Sequence, residues 1–143
     1  MPLLDHFGIL APFYDKVIRL KDADRIIKFA DLPVQGSLLD VGGGTGRITQ
    51  TLRGYADPLV VADLSVEMLS QAQIKGGLQP VCLHSELLPF ADESYERVIM
   101  VDALHHVIDQ KRSAAELWRV VKPGGRIVVE EPDIKQFSVK MVA

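Results

Sequence analysis

The chain has 143 residues, 48% hydrophobic and 24% charged, which is enough for one globular domain that buries a core without disulfide or metal staples. A formal net charge of −3, with basic residues scattered and in no run, argues against a general electrostatic grip on nucleic acid or anionic membrane. The one cysteine, Cys82, allows no internal disulfide, and its apolar surroundings predict a buried thiol.

In chain order, the N-terminus lacks the basic start and apolar run of a signal peptide. No stretch approaches the ~20 apolar residues of a membrane span, so the expectation is a cytoplasmic protein without stable membrane insertion. Helical periodicity runs from 12 to 30, and Leu32-Pro33-Val34-Gln35-Gly36 ends it. Aliphatic runs at 37–41, 58–63, 80–83, 96–101 and 125–130 predict strands, several of them apolar enough to be covered on both faces. Helices are predicted between them at about 45–53, 66–75 and 113–122. The last is marked by Ser113 with Glu116 as a capping box and by Pro123-Gly124-Gly125 as its stop. Strand–helix–strand alternation implies parallel strands joined by right-handed crossovers, an α/β doubly wound sheet. There is no internal repeat or linker. The chain therefore reads as a single domain, with a helical segment over 1–36, a core over 37–131 and a final segment over 132–143.

The chemistry begins at Asp40-Val41-Gly42-Gly43-Gly44-Thr45-Gly46, where the first strand runs into a glycine loop. Glycines serve a sharp turn and let a ligand touch backbone, and in an open α/β sheet that spot is the ligand crevice. The spacing is G-x-G-x-G, with Arg47 where a dinucleotide fingerprint has its third glycine, and no phosphate P-loop string exists in the chain. Asp40 at the loop's mouth repels a pyrophosphate. It suits a ligand with an ammonium group and a sulfonium, as S-adenosylmethionine has. Asp63 ends the second strand, 17 residues beyond Gly46, where a carboxylate accepts hydrogen bonds from ribose hydroxyls. That geometry fits NAD as well as S-adenosylmethionine. The plainer role for Asp63 is to cap the next helix, although Ser65 is the better cap. Leu64 and Met68 would lie against the adenine, with core packing the plain alternative for Met68.

With these residues in place, the chain resembles the class I S-adenosylmethionine-dependent methyltransferases. It is most similar to the methyltransferase type-11 group near the ubiquinone/menaquinone biosynthesis branch. Phe13-Tyr14-Asp15 is similar to that branch's opening segment, while 38–46 and 61–69 match its first two motifs. Further on, Leu88-Pro89-Phe90-Ala91-Asp92, Ala103-Leu104-His105-His106-Val107 and Lys122-Pro123-Gly124-Gly125 follow in the family's order. The resemblance implies a Rossmann-like methyltransferase sheet, mostly parallel, with strand order 3-2-1-4-5. It also implies S-adenosylmethionine as cofactor, S-adenosylhomocysteine as product and a small molecule as methyl acceptor.

Carried over, it assigns the loop of Gly42, Gly43, Gly44 and Gly46 to the cofactor, with Asp40, Gly42 and Gly44 at the methionine end. Asp63 takes the ribose, Leu64 and Met68 the adenine, and Ser85 and Glu86 lie beside the adenine edge. The family usually has Asp-Ala where this chain has His84-Ser85, which leaves the Ser85 backbone N–H to serve adenine N1. Asp102 and His105 would face the transferable methyl, with His105 as the candidate catalytic base; a solvent-facing imidazole is the plain alternative. Tyr14 would close over the cofactor or pack in the core. A non-catalytic binding module for the same cofactor, and a nicotinamide-dependent oxidoreductase, are the rival functions.

Family members carry two further strands after the fifth, and this chain ends twelve residues after Glu131. The expectation is that strands six and seven are missing and that 132–143 opens a truncated amphipathic helix. The fifth strand, at 126–130, would then be an exposed edge for a second copy of the chain to cover as a homodimer.

Overall fold

The computed structural model describes residues 21–131 and 138–142. The elements are α1 (Lys21–Phe29), β1 (Leu38–Val41), β2 (Leu59–Asp63), α2 (Val66–Lys75), β3 (Gln79–Cys82), β4 (Tyr95–Val101), α3 (Gln110–Val120), β5 (Val121–Glu130) and β6 (Ser138–Val142). They build one six-stranded sheet of order β3-β2-β1-β4-β5-β6. The first five strands are parallel, as expected, in the order 3-2-1-4-5. Part of the helix predicted over 12–30, and Tyr14 with it, lies outside the described residues.

Alternation along the strands explains why their sequences are apolar throughout. Leu38, Val61, Ile99 and Val128 belong to one buried cluster with Ile26 of α1 and Leu69 and Ala72 of α2. Leu39, Val60, Val98, Met100 and Ile127 belong to a second cluster with Leu117 and Val120 of α3. Successive side chains point to opposite faces, so a strand covered on both sides keeps no polar stripe. Leu38, Leu39, Val61, Val98, Ile99 and Ile127 are fully buried.

Five expectations need correction. After the glycine loop no α-helix spans 45–53; the chain makes turns and then a short 3-10 helix, Thr49–Leu52. Two threonine hydroxyls compete for the geometry there: Thr51 Oγ1 donates to the Ile48 carbonyl at 2.5 Å, and Thr49 Oγ1 donates to Asp40 at 2.6 Å. Helix α3 starts earlier than 113, because Asp109 is its cap and accepts from the Arg112 N–H at 3.0 Å. Ser113 is instead buried inside α3, and Glu116 turns away to accept from the Leu88 N–H at 2.8 Å. Lys122-Pro123-Gly124-Gly125 does not stop a helix before a separate strand but lies inside β5, beside the register shift against Tyr95 and Arg97. Cys82 is exposed, because β3 is an edge strand.

The fifth correction concerns the C-terminal segment. Residues 138–142 form β6, antiparallel to β5, from Glu130 opposite Ser138 to Arg126 opposite Val142. A sixth strand is therefore present. The β5 edge, which a homodimer was expected to cover, is already hydrogen-bonded within the chain, and an open ladder is satisfied sooner by its own chain than by a partner.

The segment Leu88–Asp92, which resembles the family, proves to be scaffold held by Arg119 of α3. Arg119 donates to the carbonyls of Leu88 at 2.8 Å and Phe90 at 2.7 Å, and to the carboxylates of Glu116 and Asp92, both at 2.8 Å. A planar guanidinium with several donors can hold such a loop where an ammonium would reach fewer partners. No helix among the described residues is long and apolar enough to cross a membrane.

Candidate functional site

At the carboxyl ends of β1, β2 and β4 the structure opens a cavity of about 720 Å³. This is the crevice where a doubly wound sheet takes its ligand, and its size suits a nucleoside-sized molecule.

The floor is β1 and its loop. Asp40 shares the face of Leu38 and is 1% exposed. Its Oδ2 accepts from Thr49, while its Oδ1 is buried with no hydrogen-bond partner among the described residues. Burial pushes its pKa from 3.8 up to about 6, against the opposing pull of Thr49 and Arg47 and with a further push from Asp63. The loop itself is tied to β2, since Gly42 and Gly43 donate to the Ala62 carbonyl at 2.7 and 3.1 Å.

Asp63 latches the two ligand-facing turns together. Its Oδ2 accepts from the Gly44 N–H and its Oδ1 from the Ser65 N–H, both at 2.9 Å. A carboxylate has about four acceptor positions, so two remain for a pair of ribose hydroxyls. The cap of α2 is Ser65, as expected, accepting from the Met68 N–H at 3.2 Å. Leu64 and Val66 stay 62% and 63% exposed at the cavity's rim, and Met68 lines it beside Gly44. Apolar groups left in the open at a cavity mouth suit a flat aromatic ring such as a purine.

On the β4 side, Asp102 adopts φ +56° and accepts from Arg47 Nη2 at 3.1 Å. Backbone strain of this kind collects at functional sites. Ser85 lines the cavity, with its hydroxyl hydrogen-bonded to that of Ser113 at 2.8 Å, so its backbone is the part left to face a ligand.

The structure thus brings Asp40, Gly42, Gly43, Gly44, Asp63, Leu64, Met68, Ser85 and Asp102 around one cavity. It leaves out three of the expected residues. Gly46 faces the core, where a Cβ would lie 2.6 Å from Leu78 Cδ1, because the turn at φ +75° aims it away from the ligand. Glu86 is turned toward His84, whose Nδ1 accepts its N–H at 3.1 Å. His105 is drawn outward to Glu131, with Nδ1 2.5 Å from Oε2. The sequence reading missed His106, Val107 and Ile108, which line the cavity after β4, and gave Arg47 no role beyond a missing glycine.

A cation suits this site better than a pyrophosphate. Asp40, Asp63 and Asp102 converge on it, and Arg47 is already committed to Asp102. No α-helix begins at the loop, so the helix N-terminus that a dinucleotide's phosphates require is absent there. An unpartnered buried carboxylate oxygen beside a glycine loop fits the ammonium end of S-adenosylmethionine, and Asp63 fits its ribose.

Comparison with known proteins agrees. Residues 39–129 match the family model described as "Methyltransferase domain". The ubiquinone/menaquinone biosynthesis C-methyltransferase UbiE of Marinomonas sp. (strain MWYL1) is 33% identical over 104 residues, which cover 66% of this chain and 41% of that protein. The chain therefore spans about two fifths of the length of such curated relatives. Among solved structures, the YcgJ protein of Bacillus subtilis aligns with a TM-score of 0.71 at 28% identity, over 76% of this chain and 49% of that one. A SAM-dependent methyltransferase from Aquifex aeolicus aligns with a TM-score of 0.76 at 20% identity, over 87% of this chain and 72% of that one, a likeness of fold alone.

Proposed function

The chain belongs to the methyltransferase domain family, whose cofactor is S-adenosylmethionine, and from that premise we propose that it moves the cofactor's methyl group to a small-molecule acceptor. The observation that carries this reading is Asp40, a buried carboxylate with one unpartnered oxygen at the floor of the cavity. Such a group is costly without a cation to meet it.

When bound, the cofactor supplies a methyl carbon on a positively charged sulfur, which an acceptor displaces in line. The chain's own part is alignment, worth about 7–11 kcal/mol in well-oriented reactions. Asp40 receives the ammonium, Asp63 the ribose hydroxyls, and Leu64 and Met68 flank the adenine. Asp102, fixed by Arg47 at 3.1 Å, stands at the end of β4 where the methyl would lie. With His105 turned to Glu131, the reading assigns no general base; an acceptor that is already nucleophilic needs none. The likeness to a quinone C-methyltransferase supports an aromatic or polyprenyl acceptor and attack by carbon, the C–C bond forming as the methyl–sulfur bond breaks and the attacked carbon then releasing its proton to water. The absence of a basic run in the sequence supports a small molecule over nucleic acid.

Two measurements test the reading. Asp63→Ala should weaken S-adenosylhomocysteine by about 1–3 kcal/mol in a calorimeter, through loss of charge-assisted hydrogen bonds; an unchanged affinity would remove the ribose assignment. Incubation with S-adenosylmethionine labelled in its methyl group and a panel of phenols and hydroquinones should carry label into an organic extract. Tight S-adenosylhomocysteine binding with no transfer to any acceptor would favour a binding module instead.

A further inference from the structure

Of the two adjacent histidines after β4, the one that faces the cavity is held there by the other. The 3-10 turn Leu104–His106 follows Asp102 and Ala103, and one carboxylate gathers three of its donors. Glu131 Oε1 accepts from the Leu104 N–H at 2.7 Å; Oε2 accepts from the His105 N–H at 3.3 Å and meets His105 Nδ1 at 2.5 Å. Glu131 is in reach because it follows β5 directly and the ladder there is closed, with the Asp102 N–H donating to the Glu130 carbonyl at 2.7 Å. The turn's far side is tied down as well. The His106 N–H donates to the Ala103 carbonyl at 3.1 Å, and Gln110 Nε2, at the start of α3, donates to the Leu104 carbonyl at 3.2 Å.

The rings of His105 and His106 lie 3.9 Å apart between centroids, tilted by 44°. His106 lines the cavity with Val107 and Ile108, and His105 does not. The contacts therefore run in a line: the Glu131 carboxylate fixes the His105 ring, and the His105 ring backs the His106 ring at the cavity wall.

This clasp serves little core. None of Leu104, His105 and His106 is buried, and Leu104 and Val107 are only partly packed against the cluster beneath them. A three-donor carboxylate, itself only 14% exposed, is a large commitment for a surface turn unless the turn's position matters. What the turn does define is the β4-side wall of the cavity.

We propose that Glu131 is a positioning residue of the cofactor cavity, acting through His105, and that His106 is the imidazole that contacts the bound ligand. The proposal rests on the reading of the cavity as an S-adenosylmethionine site. It moves the functional imidazole one residue along from the histidine that the sequence favours, and it adds a residue from β5's end to the site.

The experiment uses the whole chain and S-adenosylhomocysteine as the probe. Proton NMR of the histidine ring signals, assigned by the loss of one in His106→Ala, should show the His106 signal moving on saturation and the His105 signal moving less. Calorimetry should show Glu131→Gln and His105→Ala each weakening the probe about 5–10-fold, with melting temperatures close to wild type. The double variant should be no weaker than either single one, because the two residues act in series. A His106 signal that stays still while the wild type binds would overturn the proposal, as would wild-type affinity in both Glu131→Gln and His105→Ala. Affinity losses in step with lost melting temperature would make the clasp merely structural and overturn it too. If the wild type does not bind the probe at all, the cofactor reading falls and this inference falls with it.

Discussion

Asp40→Asn is expected to raise the melting temperature at pH 7.5 while weakening S-adenosylmethionine at least tenfold. In the folded chain the carboxyl holds its proton up to about pH 6, against 3.8 as its ordinary value, chiefly because it is buried. Between those two values the native state binds a proton that the unfolded chain has already released. Stability therefore falls as pH rises through that window, and the cost is complete above about pH 6 and absent below about pH 4. A shift of this size corresponds to about 3 kcal/mol. Asparagine removes the charge and keeps an oxygen for Thr49, but it sets an amide where Oδ1 has no partner, which gives back about 1–2 kcal/mol. The net gain is about 1–2 kcal/mol at pH 7.5, a few degrees of melting temperature, and at pH 4, where the wild-type carboxyl is neutral, the amide leaves the variant about 1–2 kcal/mol less stable. Binding moves the opposite way, since on the proposed reading the ammonium loses a buried counter-charge, worth about 2 kcal/mol or more. For the wild type the same logic makes affinity decline as pH drops through about 6. Melting curves and titrations at pH 4, 6 and 7.5 check both halves; a variant less stable than wild type at pH 7.5 would contradict the account.

Gly46→Ala and Gly44→Ala should fail in different ways, although the two glycines are two residues apart. Both positions have positive φ, +75° and +59°, where a Cβ costs about 1–2 kcal/mol. At Gly46 the new methyl also meets Leu78 Cδ1 at 2.6 Å and Ala72 Cβ at 3.5 Å, inside a core that cannot yield cheaply. The expected loss is about 2–4 kcal/mol of stability, a large part of what a domain this size has. At Gly44 the nearest atom is the Met68 sulfur at 3.2 Å, the end of a flexible side chain beside the cavity. There stability should drop by only the strain, about 1–2 kcal/mol, while S-adenosylhomocysteine affinity falls further than in Gly46→Ala. Urea midpoints and calorimetry on the two variants give the comparison, and equal losses in both would remove the distinction between a packing glycine and a ligand-facing one.

That distinction shows where the sequence could be read and where it could not. The parallel strands, the cap at Ser65 and helix α2 over Val66–Lys75 follow from local pattern, because apolar period and capping chemistry act within a few residues, whereas the strand order was implied by the family resemblance. The direction of a glycine's missing Cβ depends on the turn that contains it, so G-x-G-x-G alone does not separate Gly44 from Gly46. What turns His105 away from the cavity is Glu131, 26 residues further on, a partner that no helical spacing could reveal. The C-terminal segment fits a helical stripe and a strand about equally well, and the ready-made edge of β5 decides for the strand at 138–142. The run after Gly46 looks helical until the Thr49 and Thr51 hydroxyls are given their partners.

The glycine loop suits a sulfonium amino-acid nucleoside and not a dinucleotide. Calorimetric titration of the whole chain with S-adenosylhomocysteine and, separately, with NAD tests it most directly. Saturable one-to-one binding of S-adenosylhomocysteine, weakened in Asp63→Ala, is expected, with no measurable heat from NAD. Binding of NAD alone would contradict it.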